Sequence, residues 1–174
     1  VNDFQMLDGR NFSINVGGTG AAGTTHTFGD VYTTSGQRMG PVFTGSDGYN
    51  LNVGSISGNH QLDISNNMDG ELTIASVTGP GASRPMNFYG DTSQVGQEVI
   101  TVTGDVSLTS PMTYTAIGIG DATRTVDLTV DGIFQVRNSR IKDSTFTSTG
   151  TMLFDIVGDG ATEGGNSAEI LGDG

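Results

Sequence analysis

Residues 124–136 read RTVDLTVDGIFQV, and their alternation decides the class of fold. Val126, Leu128 and Val130 fall on one side of an extended chain, with Asp127 and Thr129 on the other. After Asp131-Gly132 the apolar positions resume at Phe134 and Val136. Successive side chains of a strand point to opposite faces, so apolar residues two apart mark a half-buried strand. The same pattern extends outward to Ile100 and Val102, Val106 and Leu108, Leu72 and Ile74, and Leu62 and Ile64. It is met again at Leu51 and Val53, at Phe12, Ile14 and Val16, and late in the chain at Met152, Phe154 and Ile156. Good helix formers are sparse among the 174 residues, and 28 Gly interrupt almost every window. Each would cost about 1 kcal/mol in a helix interior. The chain is therefore all-β.

Turn formers separate these runs. Asp47-Gly48, Asp69-Gly70 and Asp131-Gly132 accept the positive φ of tight hairpin turns, and Pro80-Gly81 and Ser110-Pro111 mark further reversals. Short strands between such turns predict a single all-β domain over residues 1–157, a β-sandwich or jelly-roll-like module. The segment Gly17–Thr25, GGTGAAGTT, reads as a flexible loop or an arm laid against a neighbour. Residues 158–174 form a Gly-rich extended tail whose apolar pair, Ile170 and Leu171, suits docking on another chain.

A short β-solenoid is the alternative architecture. Leu72-Thr73-Ile74, Ile100-Thr101-Val102 and Leu128-Thr129-Val130 repeat one triplet every 28 residues, and Gly104 and Gly132 keep the same register. One step earlier lies Thr44, in an unrelated context, and one step later Ile156. With a non-repetitive first third, the chain suits a compact module better than a coil array.

Composition narrows the function. Seven basic residues stand against 19 acidic ones, for a net charge of -12, and Lys142 is the only lysine. Such a chain would be repelled by phosphates and by anionic membrane surfaces, so neither nucleic acid nor membrane is an expected partner. With no Cys, thiolate metal sites, disulfides and thiol catalysis are out of reach.

No catalytic constellation is expected. His26 and His60 are the only histidines, with no Gly-x-Ser-x-Gly elbow and no third metal ligand at a telling spacing. Asp127 and Asp131 lie on the solvent side of a strand whose Leu128 and Val130 are buried, so they read as surface acids, not as a glycosidase pair. Calcium is the cation that Asp-Gly loops would suit, but neither an EF-hand nor a G-G-x-G-x-D repeat is present, and no cofactor is expected. Arg137, Arg140 and Lys142, within VRNSRIK, form the only basic cluster, which would meet the acidic surface of an identical neighbour.

EVITVTGDVSLTS and RTVDLTVDGIFQV, set among Gly, Thr, Ser and Asn turns with hardly any Lys, resemble phage virion-surface proteins of the capsid cement or decoration and tail-fibre types. They are also similar to passenger coils of bacterial β-solenoid adhesins. The resemblance covers most of the chain and carries no diagnostic motif. It implies a homo-oligomer, a trimer on a capsid shell, that bridges viral coat subunits and reinforces the shell. The expected function is thus a non-enzymatic structural protein of a virion exterior or other extracellular surface. An adhesin or surface-filament subunit is the second reading and a carbohydrate-binding module the third.

Overall fold

The computed structural model describes residues 2–7, 10–34, 36–79, 84–91, 98–108, 117–121, 123–136, 139–142, 144–154 and 170–173. Short strands make two sheets among these residues, with no helix, and every pairing between strands is parallel. The first sheet has two arms. One stacks β3 (Thr25–Phe28), β6 (Asn50–Ser57), β8 (Leu72–Gly79), β10 (Glu98–Val102), β13 (Val126–Val130) and β16 (Thr145–Ser148). The other stacks β1 (Phe4–Met6), β4 (Val31–Thr33), the far halves of β6 and β8, β11 (Val106–Leu108), β14 (Ile133–Val136) and β17 (Thr151–Phe154). The second sheet stacks β2 (Asn11–Asn15), β5 (Gly40–Gly45), β7 (Leu62–Met68), β9 (Met86–Tyr89), β12 (Ile117–Ile119), β15 (Ser139–Lys142) and β18 (Ile170–Asp173).

The chain visits the arms and then the second sheet in turn, rising one rung per circuit. It is a parallel β-solenoid, not the sandwich or jelly roll expected from the alternation. An alternating run shows that one face is buried but not which strand lies beside it. Here each neighbour comes from the next coil. The 28-residue triplet is the coil itself: Leu72, Ile100 and Leu128 stand in one column, Ile74, Val102 and Val130 in another, all buried. The middle residue of each triplet faces outward, giving a column of Thr27, Asn52, Thr73, Thr101, Thr129 and Thr147. Beyond the three equal coils the step changes. Leu51 precedes Leu72 in the column, and Phe146, not Ile156, follows Leu128.

The Asp-Gly dipeptides mark corners rather than hairpins. Gly48 alone of the three has a positive φ, 66°. Gly132 is required for a different reason, close approach: a Cβ there would run into the Gly104 carbonyl of the coil beneath, as one on Gly104 would meet that of Ala75. The shared register of the two glycines is thus a corner where backbones touch.

The core fills the space between the sheets. From the second sheet, Leu62, Met86 and Ile117 form one buried column and Ile64, Phe88 and Ile119 another. Asn66 also points inward and is fully buried. Its Nδ2 donates to the Gly70 and Val99 carbonyls at 3.2 and 2.9 Å, and its Oδ1 accepts the Met68 amide at 3.1 Å. The Gly17–Thr25 segment is laid against its own chain, where buried Tyr49 donates to the Gly20 carbonyl at 2.8 Å and the Gly23 amide donates to that of Gly48 at 2.7 Å.

Candidate functional site

Two places on the solenoid gather chemistry: the outer face of the second sheet, and the rungs at its two ends. On the outer face, alternation turns Asp63, Asn87 and Tyr89 away from the core, and the parallel register sets Asp63 beside Asn87. Asp63 is only 5% exposed. Its Oδ2 accepts from Arg38 Nε at 2.7 Å and Gln61 Nε2 at 2.8 Å, and its Oδ1 accepts from Asn87 Nδ2 at 2.6 Å. Both oxygens are therefore committed to holding the 38–39 and 61–63 segments on the sheet.

Next to it, the Arg124 guanidinium lies 3.6 Å over the Tyr89 ring and pairs with Asp121. Burial pushes the Tyr89 hydroxyl up, and the Asp63 charge adds to it against the opposing pull of Arg124. At Asp121 burial also acts upward. Hydrogen bonds from the Arg124 side chain and the Thr123 and Arg124 amides outweigh it and bring the carboxyl down to about 2, from 3.8. A carboxyl lowered on folding stabilises the fold above its unfolded value and loses that contribution as pH falls through the folded one. Asp121→Asn is expected to cost about 1 kcal/mol at neutral pH, because the pair is about a third exposed and solvent screens part of what the lowered pKa would contribute. It should flatten the part of the acid-unfolding curve between about pH 4 and 2, read by circular dichroism.

The chemistry of this face is that of a clamp. Both Asp63 oxygens already accept hydrogen bonds, and among the described residues no group of three or more His, Asp or Glu is placed to hold a metal. Of the residues singled out in the sequence, Asp127 and Asp131 do lie outward on or beside β13, with Asp131 accepting the Thr149 hydroxyl at 2.6 Å. His26 is on β3, exposed, with its ring edge-on to Tyr49 at 5.1 Å. The buried Nδ1 of His60 has no hydrogen-bond partner among the described residues.

Sequence reasoning missed the Asp63 and Arg124 networks. Their local traces are Gln61 two residues before Asp63 and Asp121 three residues before Arg124; the other partners come from separate coils.

At the end rungs the core changes character. The core residues of inner rungs, such as Leu72, Ile100 and Leu128, are buried, whereas Phe12, Ile14, Phe28, Phe146 and Met152 pack against that core while only partly covered. All five lie on β2, β3, β16 or β17, the first or last described strands of their stacks. At the first end an open hollow of about 250 Å³ is lined by Ile14, Val16, His26, Phe28 and Leu51. At the other end the sequence-predicted partner residues come together. Arg140 and Lys142 sit on β15, and β18 brings Ile170 beside Ser139 and Leu171 beside Arg140. The apolar pair of the tail thus adds a strand to its own chain. Arg137 and residues 158–169 and 174 of the tail lie outside the described residues.

The fold defines the class, a parallel β-solenoid. No protein-family model matches the chain, and no curated protein or solved structure is significantly similar to it.

Proposed function

We propose that the chain is a non-enzymatic structural subunit of an extracellular surface, of the adhesin or surface-filament kind. One observation carries this reading: a stack of parallel coils whose apolar core runs out to both described ends, with its polar chemistry spent on clamping the coils together. Such stacks depend on neighbour-to-neighbour contacts and present long, regular outer faces. The charge of -12 keeps those faces solvated and away from nucleic acid. Capsid cement, the first expectation, rested on a compact module, and the coil stack favours the filament reading instead.

Immunogold labelling of intact producing cells, or of particles they release, tests the proposal. Label on the exterior is expected, along cell-surface filaments; label confined to a capsid lattice would favour the cement reading. Label that requires lysis overturns an exterior role altogether.

A further inference from the structure

We infer that solenoids join side by side in one orientation, the basic corner ahead of the second sheet of one chain set against the acidic corner between the two arms of the first sheet of the next. The inference rests on the structural-subunit reading above and names its partner, a second copy of this chain.

Its first support is the sorting of charge around the cross-section. The strands of the first sheet carry no Lys or Arg. The described basic residues all lie on or beside the second sheet. Arg10 directly precedes β2, Arg38 stands two residues ahead of β5 and Arg84 two ahead of β9, all three exposed, at the corner where the chain passes from the second arm into the second sheet. Arg124 lies over Tyr89, and Arg140 and Lys142 are on β15. The corner between the arms is the reverse. Asp3, Asp30 and Asp105 directly precede β1, β4 and β11, Asp131 directly follows β13, and all four are exposed. The first three are held there by their own chain: Asp3 Oδ1 accepts the Asp30 amide at 3.0 Å, Asp30 Oδ1 the Ser55 amide at 2.6 Å and Asp105 Oδ1 the Ile133 amide at 2.8 Å.

The second support is spacing. Arg10 and Arg84 are three strand steps apart, from β2 through β5 and β7 to β9, and so are Asp30 and Asp105, from β4 through β6 and β8 to β11. Each pair is therefore separated by about 14 Å along the axis. A parallel neighbour displaced by one rung sets Arg10 opposite Asp30 and Arg84 opposite Asp105. The face joining the two corners does not oppose this, because the outward column of the second arm, Gln5, Tyr32, Ser57, Thr78, Ser107 and Gln135, is uncharged.

Copies of net charge -12 repel at a distance. At physiological salt the Debye length is about 8 Å, so that repulsion is largely screened while charges in contact still attract. The contact is heterologous and fixes orientation, so it extends into a row rather than closing as a two-fold pair.

Sedimentation velocity of the purified chain tests the contact. At physiological salt the sedimentation coefficient should rise with protein concentration, and at about 1 M salt it should return to that of the monomer. Asp30→Asn/Asp105→Asn removes charge from the acidic corner while the side-chain oxygens still accept the Ser55 and Ile133 amides. Arg10→Gln/Arg84→Gln neutralises the basic corner at exposed positions. Each variant alone should associate at least tenfold more weakly than the parent. An equimolar mixture of the two should recover association and stop at dimers, because each variant keeps one intact corner. Net charge alone predicts otherwise: the Asn variant carries two fewer negative charges than the parent and would self-associate more readily.

A parent that stays monomeric overturns the inference, and so does an Asn variant that associates as well as the parent or a mixture that recovers nothing. A monomeric parent retained on a sulfated-polysaccharide column, with the Gln variant passing through, would give the basic corner to a polyanion instead. Association without surface labelling overturns the exterior role alone; surface labelling without association overturns this interface alone.

Discussion

Phe88→Ala is expected to lower the free energy of unfolding by about 3–5 kcal/mol, the range for emptying a large aromatic site in a close-packed core. Phe88 is fully buried in β9, in a column between Ile64 of β7 and Ile119 of β12, with strands hydrogen-bonded on both sides. The backbone cannot collapse into the void, because the Phe88 carbonyl accepts the Gly120 amide at 2.8 Å and the neighbouring coils fix the strand spacing. A solenoid adds a second consequence: each rung is stabilised by its two neighbours, so weakening a middle rung uncouples the coils before it from those after it. Guanidinium unfolding should show a lower midpoint and a broader, two-step transition. The same change at Phe12, half-covered on the first described rung, should cost about 1–2 kcal/mol and leave a single step, since less apolar area is lost and no described rung lies on its far side. Equal costs at the two positions would contradict a core that is closed in the middle and open at the end.

The apolar strands were legible because their signal is local. Each inward column, such as Leu72, Ile100 and Leu128, comes from residues that alternate within their own run, and the 28-residue triplet matched the pairing register residue for residue. The solenoid was nevertheless the second choice, because coil length varies. Leu51 reaches Leu72 in 21 residues and Leu128 reaches Phe146 in 18, so a fixed-period search finds only the equal coils and leaves the first third looking non-repetitive. What the parallel ladder conserves is the column, not the spacing, since surplus residues leave at the corners. Asp131-Gly132 misled for a related reason. Gly without a Cβ serves a hairpin turn through positive φ and a crowded corner through close approach, and the dipeptide looks the same in both. The clamp on the outer face was illegible because its local partners, Gln61 and Asp121, form no recognisable motif and the rest come from other coils. Asp63 sits between Leu62 and Ile64 as an ordinary solvent-facing residue would, and its burial is made by Arg38 and Asn87, 25 residues before and 24 after it.

Asn66→Leu tests a fully buried polar residue that the alternation places inside. Leucine has the branched shape of asparagine and would add apolar contact, so a core governed by area alone predicts a gain. The hydrogen bonds predict the reverse. The Gly70 and Val99 carbonyls and the Met68 amide would each lose the Asn66 side chain as partner, at about 1–3 kcal/mol for a buried group left unpaired. The expected net loss is about 3–5 kcal/mol, because burial of the Leu side chain offsets part of the sum. Asn66→Asp separates the donor role from the acceptor role. An ionised carboxylate still accepts the Met68 amide but faces the Gly70 and Val99 carbonyls with negative charge and no proton to donate. Burial and those carbonyls raise its pKa in the folded state, so the fold binds the proton more tightly than the unfolded chain does. The stability of this variant relative to the parent should then rise as pH falls through that raised value, and the variant should be most compromised at neutral pH. Thermal unfolding of the three proteins across the acid range measures both effects. A stabilised Asn66→Leu, or an Asn66→Asp whose deficit is independent of pH, would show that the corner after β7 is held by apolar packing and not by this amide.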